Sequence, residues 1–302
     1  MRQNIAGTRC TVSCVESVVE ILGWPTDVVS VDWRKDPQED CVQQTQQCLP
    51  AHTYIFFVPG NPGLVGWYIP ALTSIAQHLG PGFALRGVSY AGHGVTEETV
   101  NVEPYQDDCH STPTPADADS RRHKRNVQIP WTIQGQIQHK LAWIENQHDS
   151  DNDNLKTKRF IFVSHSIGAH MVQRLLVLRP DWRRRTAALV HWMPFIRMDA
   201  NNTMAQQYKL NTAARHPDAV IAIGRQVLKV LRTRPNIVDY MLKRTVPDDQ
   251  GRDLAVRLLQ HPTFIRNFFE LGTEEIRDVP QLPDVSRVIV LRIMPRVWIF
   301  LL

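Results

Sequence analysis

No run of about eighteen uninterrupted apolar residues occurs in the chain, so no helix is expected to span a bilayer. The stretch that comes nearest, Val288 to Leu302, is broken by Arg292, Pro295 and Arg296. The opening Met-Arg-Gln-Asn-Ile-Ala leads into no apolar segment of a secretory signal, and any membrane association is expected to be peripheral. Cysteine is scarce and one-sided: Cys10, Cys14, Cys41, Cys48 and Cys109 all lie in the first half. Their number is odd and no pair has zinc-site spacing with histidines to complete it, so the expectation is reduced thiols in a cytosolic setting, no metal site and no cofactor. Neither sign of charge dominates, with 34 Lys and Arg against 30 Asp and Glu and a net charge of +4. That is too little to argue for nucleic acid without a matching motif. The basic excess is local, in Arg121, Arg122, Lys124 and Arg125 and again in Arg183 to Arg185, and reads either as solvated loop or as attraction to anionic lipid headgroups.

What is present is an alternation of strand and helix. With 302 residues and 43% hydrophobic content, the chain can bury one large core, and one principal domain is expected. In the opening fifty residues, Val12 to Ile21 and Val28 to Trp33 offer strands, with Gly23-Trp24-Pro25 as turn material. Tyr54 to Val58 is a continuous apolar run of the kind found in a parallel strand buried on both faces, and Pro59-Gly60-Asn61-Pro62-Gly63 stops it. A helix is predicted over Trp67 to Leu79, then a strand over Phe83 to Tyr90 closed by Ala91-Gly92-His93-Gly94. Val102 to Asn126 has almost nothing apolar to bury and reads as a mobile insertion. Ile133, Ile137, Leu141 and Ile144 are spaced for one helix face. Ala187 to Trp192 supplies another strand, and Val285 to Ile293 a last one. Between them Met193 to Glu270 is helical in pattern, either a cap over the C-terminal edge of the sheet or a packing layer. The alternation predicts an α/β fold with a mostly parallel sheet.

The sharpest motif is Phe160 to Gly168, Phe-Ile-Phe-Val-Ser-His-Ser-Ile-Gly. An apolar strand runs into a small-x-Ser-x-Gly turn and then returns to helical spacing, the order a nucleophile elbow requires. Small neighbours let the helix fold back over the strand; Ser164 and Gly168 both meet that demand, Ser164 standing where glycine is usual. Ser166 is the candidate nucleophile. The N-terminus of the following helix suits an oxyanion beside it. The backbone N–H of Ile167 is one expected donor. The loop Gly60 to Gly63 is the other expected source, with Asn61 as donor because Pro62 has no N–H.

A base and an acid are harder to place. In this arrangement the histidine normally follows the final strand, yet no histidine lies beyond His261. His165 is adjacent to Ser166 and should point away from it. His93 could line the pocket or serve its loop structurally, and His191 reads as a packed core residue. Asp199 follows the strand after the elbow and is the candidate acid.

Four segments in order, Phe57 to Gly63, Ser89 to Gly94, Gly135 to Lys140 and Ser164 to Ala169, resemble the lipid-droplet-associated hydrolases. The likeness covers about residues 54 to 200, is weaker over the helical block, and ends near Ser286. It implies an α/β-hydrolase fold and serine ester hydrolysis, with a lipid ester, in particular a sterol ester, as substrate. It also implies residence on the lipid droplet and the endoplasmic reticulum, on the cytosolic side, with the helical block as membrane-facing cap. Ser166 carries over as nucleophile, whereas the family's strand-end Asp and final-loop His find no counterpart. The organisation expected is a core over 1–192 with an insertion at about 95–127, a helical cap over 193–284, and a last strand and divergent tail over 285–302. A droplet-binding or regulatory protein that keeps the fold without turnover is the competing expectation. A third is an incomplete or mis-spliced chain that folds poorly.

Overall fold

Tyr54 to Val58 lies where its composition places it, inside a sheet with covered faces. The computed structural model describes residues 2–5, 8–35, 51–95, 132–150, 158–194, 216–246, 248–260 and 264–278. Its strands are β1 (Arg2–Ile5), β2 (Thr8–Ile21), β3 (Trp24–Lys35), β4 (Thr53–Val58), β5 (Phe83–Val88), β6 (Arg159–His165) and β7 (Thr186–Trp192). Its helices are α1 (Ile69–Leu79), α2 (Ile133–Ser150), α3 (Gly168–Leu178), α4 (Pro180–Arg185), α5 (Pro217–Arg232), α6 (Pro235–Thr245), α7 (Asp249–Gln260) and α8 (Phe264–Asp278). The expected helix over Trp67 to Leu79 is divided: Val65–Tyr68 is a 3-10 turn, and α1 begins behind it with Pro70 in its first turn, where a missing N–H costs nothing.

The strands form one sheet in the order β1-β2-β3-β5-β4-β6-β7. From β5 to β7 all pairings are parallel, as helices between successive strands require. The first fifty residues add an antiparallel extension, β1 on β2, β2 on β3 and β3 on β5, so the sheet is mixed. The β2–β3 turn is tighter than the composition suggests. Only Leu22 and Gly23, with φ of 52° and 80°, lie between the strands, and Trp24 and Pro25 already belong to β3. Positive φ at both turn positions matches the right-handed twist of the two strands.

Alternation along β4 sorts its side chains into two cores. Tyr54, Phe56 and Val58 face a cluster with Phe160, Phe162, Met171, Leu175, Trp143 and Trp182 from β6 and helices α2 to α4. Ile55 and Phe57 face the other side, with Val65, Leu72, Ala76 and Val163. Each fully buried phenylalanine is worth about 1.5–3 kcal/mol of transfer free energy, and Phe56 meets Phe160 and Trp143 edge-on at 5.5 and 5.7 Å. This rigid centre delivers the ends of β4, β5 and β6 to one edge of the sheet, where the loops carrying the polar motifs emerge. The 96–127 part of the expected insertion and the 285–302 tail lie outside the described residues.

Candidate active site

Ser166 occupies the corner between β6 and α3 with φ of 50°, a left-handed conformation that costs a non-glycine residue of order 1–3 kcal/mol. Surrounding contacts hold it there. Its N–H donates to the Trp192 carbonyl at 3.0 Å, and its own carbonyl accepts from Ala169 N–H at 3.0 Å. The residue is half-buried rather than sealed in the core. Ile167 is the N-cap of α3, where the first backbone N–H groups have no intrahelical acceptor.

The small-residue requirement of the elbow is visible as distances. A Cβ on Gly168 would stand 2.5 Å from the Val58 carbonyl oxygen and 2.6 Å from that of Pro59, so α3 passes against the end of β4 at backbone contact. A Cβ on Gly60 would lie 2.7 Å from Ser166 Cβ, so the chain turning into Asn61 passes directly beside the candidate nucleophile. Ser164, in place of the usual glycine, is used differently. It pairs with His191 across β6 and β7, and its hydroxyl lies 2.6 Å from His191 Nδ1. Burial holds His191 down to about 4, so the ring is neutral near pH 7, and it is the packed residue its strand position implies.

The segments Gly60–Gly63, Ser89–Gly94 and Gly135–Lys140 converge behind this corner. Gly63 N–H donates to the Gly60 carbonyl at 2.6 Å, and Tyr90 N–H to that of Gly63 at 2.7 Å. The Tyr90 hydroxyl donates to the Pro59 carbonyl at 2.7 Å. His93 is fully buried, and its Nδ1–H donates to the Pro62 carbonyl, which gives it a structural role in this loop pair. Gln136 brackets the second loop, accepting from Ala91 N–H at 3.1 Å and donating to the Ala91 carbonyl at 3.2 Å.

Sequence reasoning assigned no role to Lys140 or Tyr68. Lys140 is fully buried, its Nζ donating to the Ser89 carbonyl at 3.0 Å and to Gln136 Oε1 at 2.9 Å, with the Tyr90 ring 4.5 Å away. Burial pushes its ammonium well below the usual lysine range. A signal existed: Lys140 lies seven residues after Ile133, on the apolar face of α2. Lys140→Met leaves the Ser89 carbonyl and Gln136 Oε1 without that donor. It is expected to cost about 1–3 kcal/mol in urea unfolding, despite the apolar gain. Tyr68 donates to or accepts from His165 Nδ1 at 2.9 Å. Burial lowers the His165 pKa, and the pair turns the histidine next to the nucleophile toward the 3-10 turn.

Among the described residues no imidazole is hydrogen-bonded to Ser166 Oγ, and none forms a cluster able to hold a metal ion. Asp199 lies outside the described residues, so its role as candidate acid is an assignment from sequence alone.

The family model described as lipid-droplet associated hydrolase matches residues 51–300. The chain belongs to the lipid-droplet-associated hydrolase family. That match runs past Ser286, where the likeness of the motifs ends. The human lipid droplet-associated hydrolase is 23% identical over 127 residues, 42% of this chain and 33% of that protein. The rat protein is 24% identical over 132 residues, 44% of this chain and 34% of its own length. The match therefore spans about a third of these relatives. Among solved structures, the epoxide hydrolase CorEH superposes with a TM-score of 0.52 at 12% identity, covering 89% of this chain and 76% of that one. A putative epoxide hydrolase from Pseudomonas aeruginosa gives 0.50 at 13% identity, covering 98% and 80%. These likenesses establish the α/β-hydrolase fold for this family member.

Proposed function

We propose that this chain is a serine ester hydrolase acting on lipid esters, sterol esters in particular, at the surface of the lipid droplet and peripherally at the endoplasmic reticulum. The observation that carries the reading is the corner itself: a half-buried hydroxyl held at φ of 50° with the Gly60 turn packed on its Cβ. In this reading Ser166 Oγ attacks the ester carbonyl carbon and its proton passes to a base. The carbonyl oxygen becomes the oxyanion facing the N–H groups of Asn61 and Ile167. Its collapse expels the protonated alcohol, and water then releases the acid from the acyl-serine. Labelling by a fluorophosphonate that is lost in Ser166→Ala tests the assignment.

Two features support a lipid substrate and a lipid surface. A cavity of ≈ 500 Å³ between the 3-10 turn and the α6–α7 junction is lined by Trp67, Pro70, Val246 and Leu254, side chains suited to hydrocarbon, with Asp248 and Gln250 as its polar edge. Ser166 is not among its lining residues. Helices α5 and α6 also adjoin each other and leave apolar side chains uncovered. Ile223, Val227 and Val230 recur at helical spacing on α5, followed on α6 by Ile237, Tyr240 and Met241, all between 47% and 65% exposed. Lys229 on α5, Lys243 and Arg244 on α6, and Arg234 between the two helices are exposed. Apolar side chains ringed by cations suit a monolayer with anionic headgroups. Among the described residues no helix is long and apolar enough to cross a membrane. Ile223→Asp with Val230→Asp is expected to cut binding to phosphatidylcholine–phosphatidylserine vesicles by tenfold or more, about 1.4 kcal/mol or greater, with unfolding temperature unchanged. Equal flotation of variant and wild type would remove this face as the docking surface.

The absence of an imidazole on Ser166 Oγ among the described residues favours a second reading, a droplet-binding protein with the fold but no turnover. It predicts droplet localisation for wild type and Ser166→Ala alike, with no hydrolysis from either.

A further inference from the structure

Asn61 reaches away from Ser166 and into α8. Its Nδ2 donates to the Phe268 carbonyl at 3.3 Å, and a Cβ on Gly272 would stand 3.7 Å from the same nitrogen. Glu275 lies one turn further along α8, close enough to the Asn61 side chain for the amide to favour its ionised form. Side chains on a helix lean toward its N-terminus, so Phe268, Gly272 and Glu275 share one face and that face meets the turn after β4. Neighbouring Asn267 makes a parallel contact, donating to the Gly92 carbonyl at 2.6 Å. The helix is thus tied to both loops beside the elbow.

The chemistry of this contact is incomplete with an ionised carboxylate. Asn61 Oδ1 and Glu275 Oε1 are both buried, and neither accepts a hydrogen bond from any described residue. An amide facing a carboxylate makes one hydrogen bond and leaves its own oxygen without a donor, a cost of the kind proteins avoid. An amide facing an un-ionised carboxylic acid makes two, N–H to one carboxyl oxygen and O–H to the amide oxygen.

We propose that Glu275 acts as a positioning residue in its proton-carrying form, closing a two-bond pair with the Asn61 side chain that clamps the candidate oxyanion loop to α8, and that loss of this proton releases the loop. Burial lifts the Glu275 carboxyl to about 8, with the Asn61 hydrogen bond acting in the opposite direction. Tyr90 is the titratable group facing it from the β5 loop; a phenol is un-ionised at pH 7, and burial raises Tyr90 well above its usual range, so it brings no charge to the contact. From α2, the contact with this part of α8 is the Ile133 N–H, which donates to Glu274 Oε2 at 2.6 Å.

The labelling arm of the test rests on Ser166 as nucleophile; the stability arm does not. The rate of fluorophosphonate labelling of the full chain should fall roughly tenfold between pH 7 and pH 9 as a group near 8 ionises. Glu275→Gln, which keeps both hydrogen bonds and cannot ionise, should flatten that fall, whereas Glu275→Leu should be slower than Glu275→Gln throughout. The folded state also binds a proton the unfolded chain releases, since the carboxyl rises from 4.5 to about 8. Its contribution to stability is therefore complete below 4.5 and is lost as pH rises through about 8. Wild-type unfolding temperature should decline across that window more steeply than that of Glu275→Gln. Superimposable thermal profiles of wild type and Glu275→Gln, or superimposable labelling profiles from protein that does label, would overturn the proposal. Wild-type protein unlabelled at every pH, with the difference in thermal slope intact, would overturn only the nucleophile reading.

Discussion

Ser166→Ala is expected to abolish fluorophosphonate labelling and to lower ester turnover by a factor of at least about 10⁴, the scale on which serine hydrolases lose activity without their nucleophile. The hydroxyl makes no structural hydrogen bond among the described residues, so stability should not fall with activity. A further variant separates geometry from chemistry. Ser166→Gly removes the same hydroxyl but is at ease at φ of 50°, where alanine is not. Glycine should therefore exceed alanine in stability at this position by about 1 kcal/mol, reversing the usual order within helices. Equal stabilities would show that the corner is unstrained in solution. Turnover that survives both changes would end the case for Ser166, and wild-type protein that folds and binds droplets but never labels would favour the non-catalytic reading.

Gly168→Ala should be among the most damaging single-methyl substitutions in the chain. At a first helical position this exchange ordinarily gains stability. Here the added carbon would sit 2.5 Å from one backbone oxygen of the β4 end and 2.6 Å from the next, neither of which can swing aside as a side chain could. Relief requires α3 to lift from β4, which disturbs the packing of Met171 and Leu175 against Phe56 and Phe162 and moves the elbow with it. We expect a loss of about 3 kcal/mol in chemical denaturation, together with loss of labelling even where the protein remains folded. A neutral or stabilising Gly168→Ala would mean that helix and strand are further apart than described.

Much of the fold was legible because it is built from short-range patterns. Phe56 and Phe57 are adjacent in a continuous apolar run, and a strand buried on both faces is the simplest way to cover both. The α2 face announced itself at helical spacing, and a turn near Gly23 was legible between two β-rich segments, although Trp24 and Pro25, read as turn material, belong to β3. The mixed character of the sheet was less accessible. Antiparallel pairing of β3 on β5 joins residues about sixty positions apart, and nothing local in Val28 to Val31 distinguishes that partner from any other. The site followed the same division. Ser166, Gly168 and the Gly60 turn carry local signatures because tight corners constrain residue size. Tyr68, Lys140 and Glu275 carry little, since a tyrosine, lysine or glutamate reads as solvated until the residues around it are known.

The sequence alone thus determined the strand-to-helix corner, the loop that serves it and the alternation that makes the sheet. In each case backbone sterics and hydrophobic periodicity act over only a few residues. Only the tertiary structure decided that His191 is occupied by Ser164, that His165 is turned to Tyr68, and that α8 returns across separations of 207 and 175 residues to meet Asn61 and Gly92. Those outcomes depend on which polar groups are brought together in a place that water has left, and burial of that kind belongs to the folded chain as a whole.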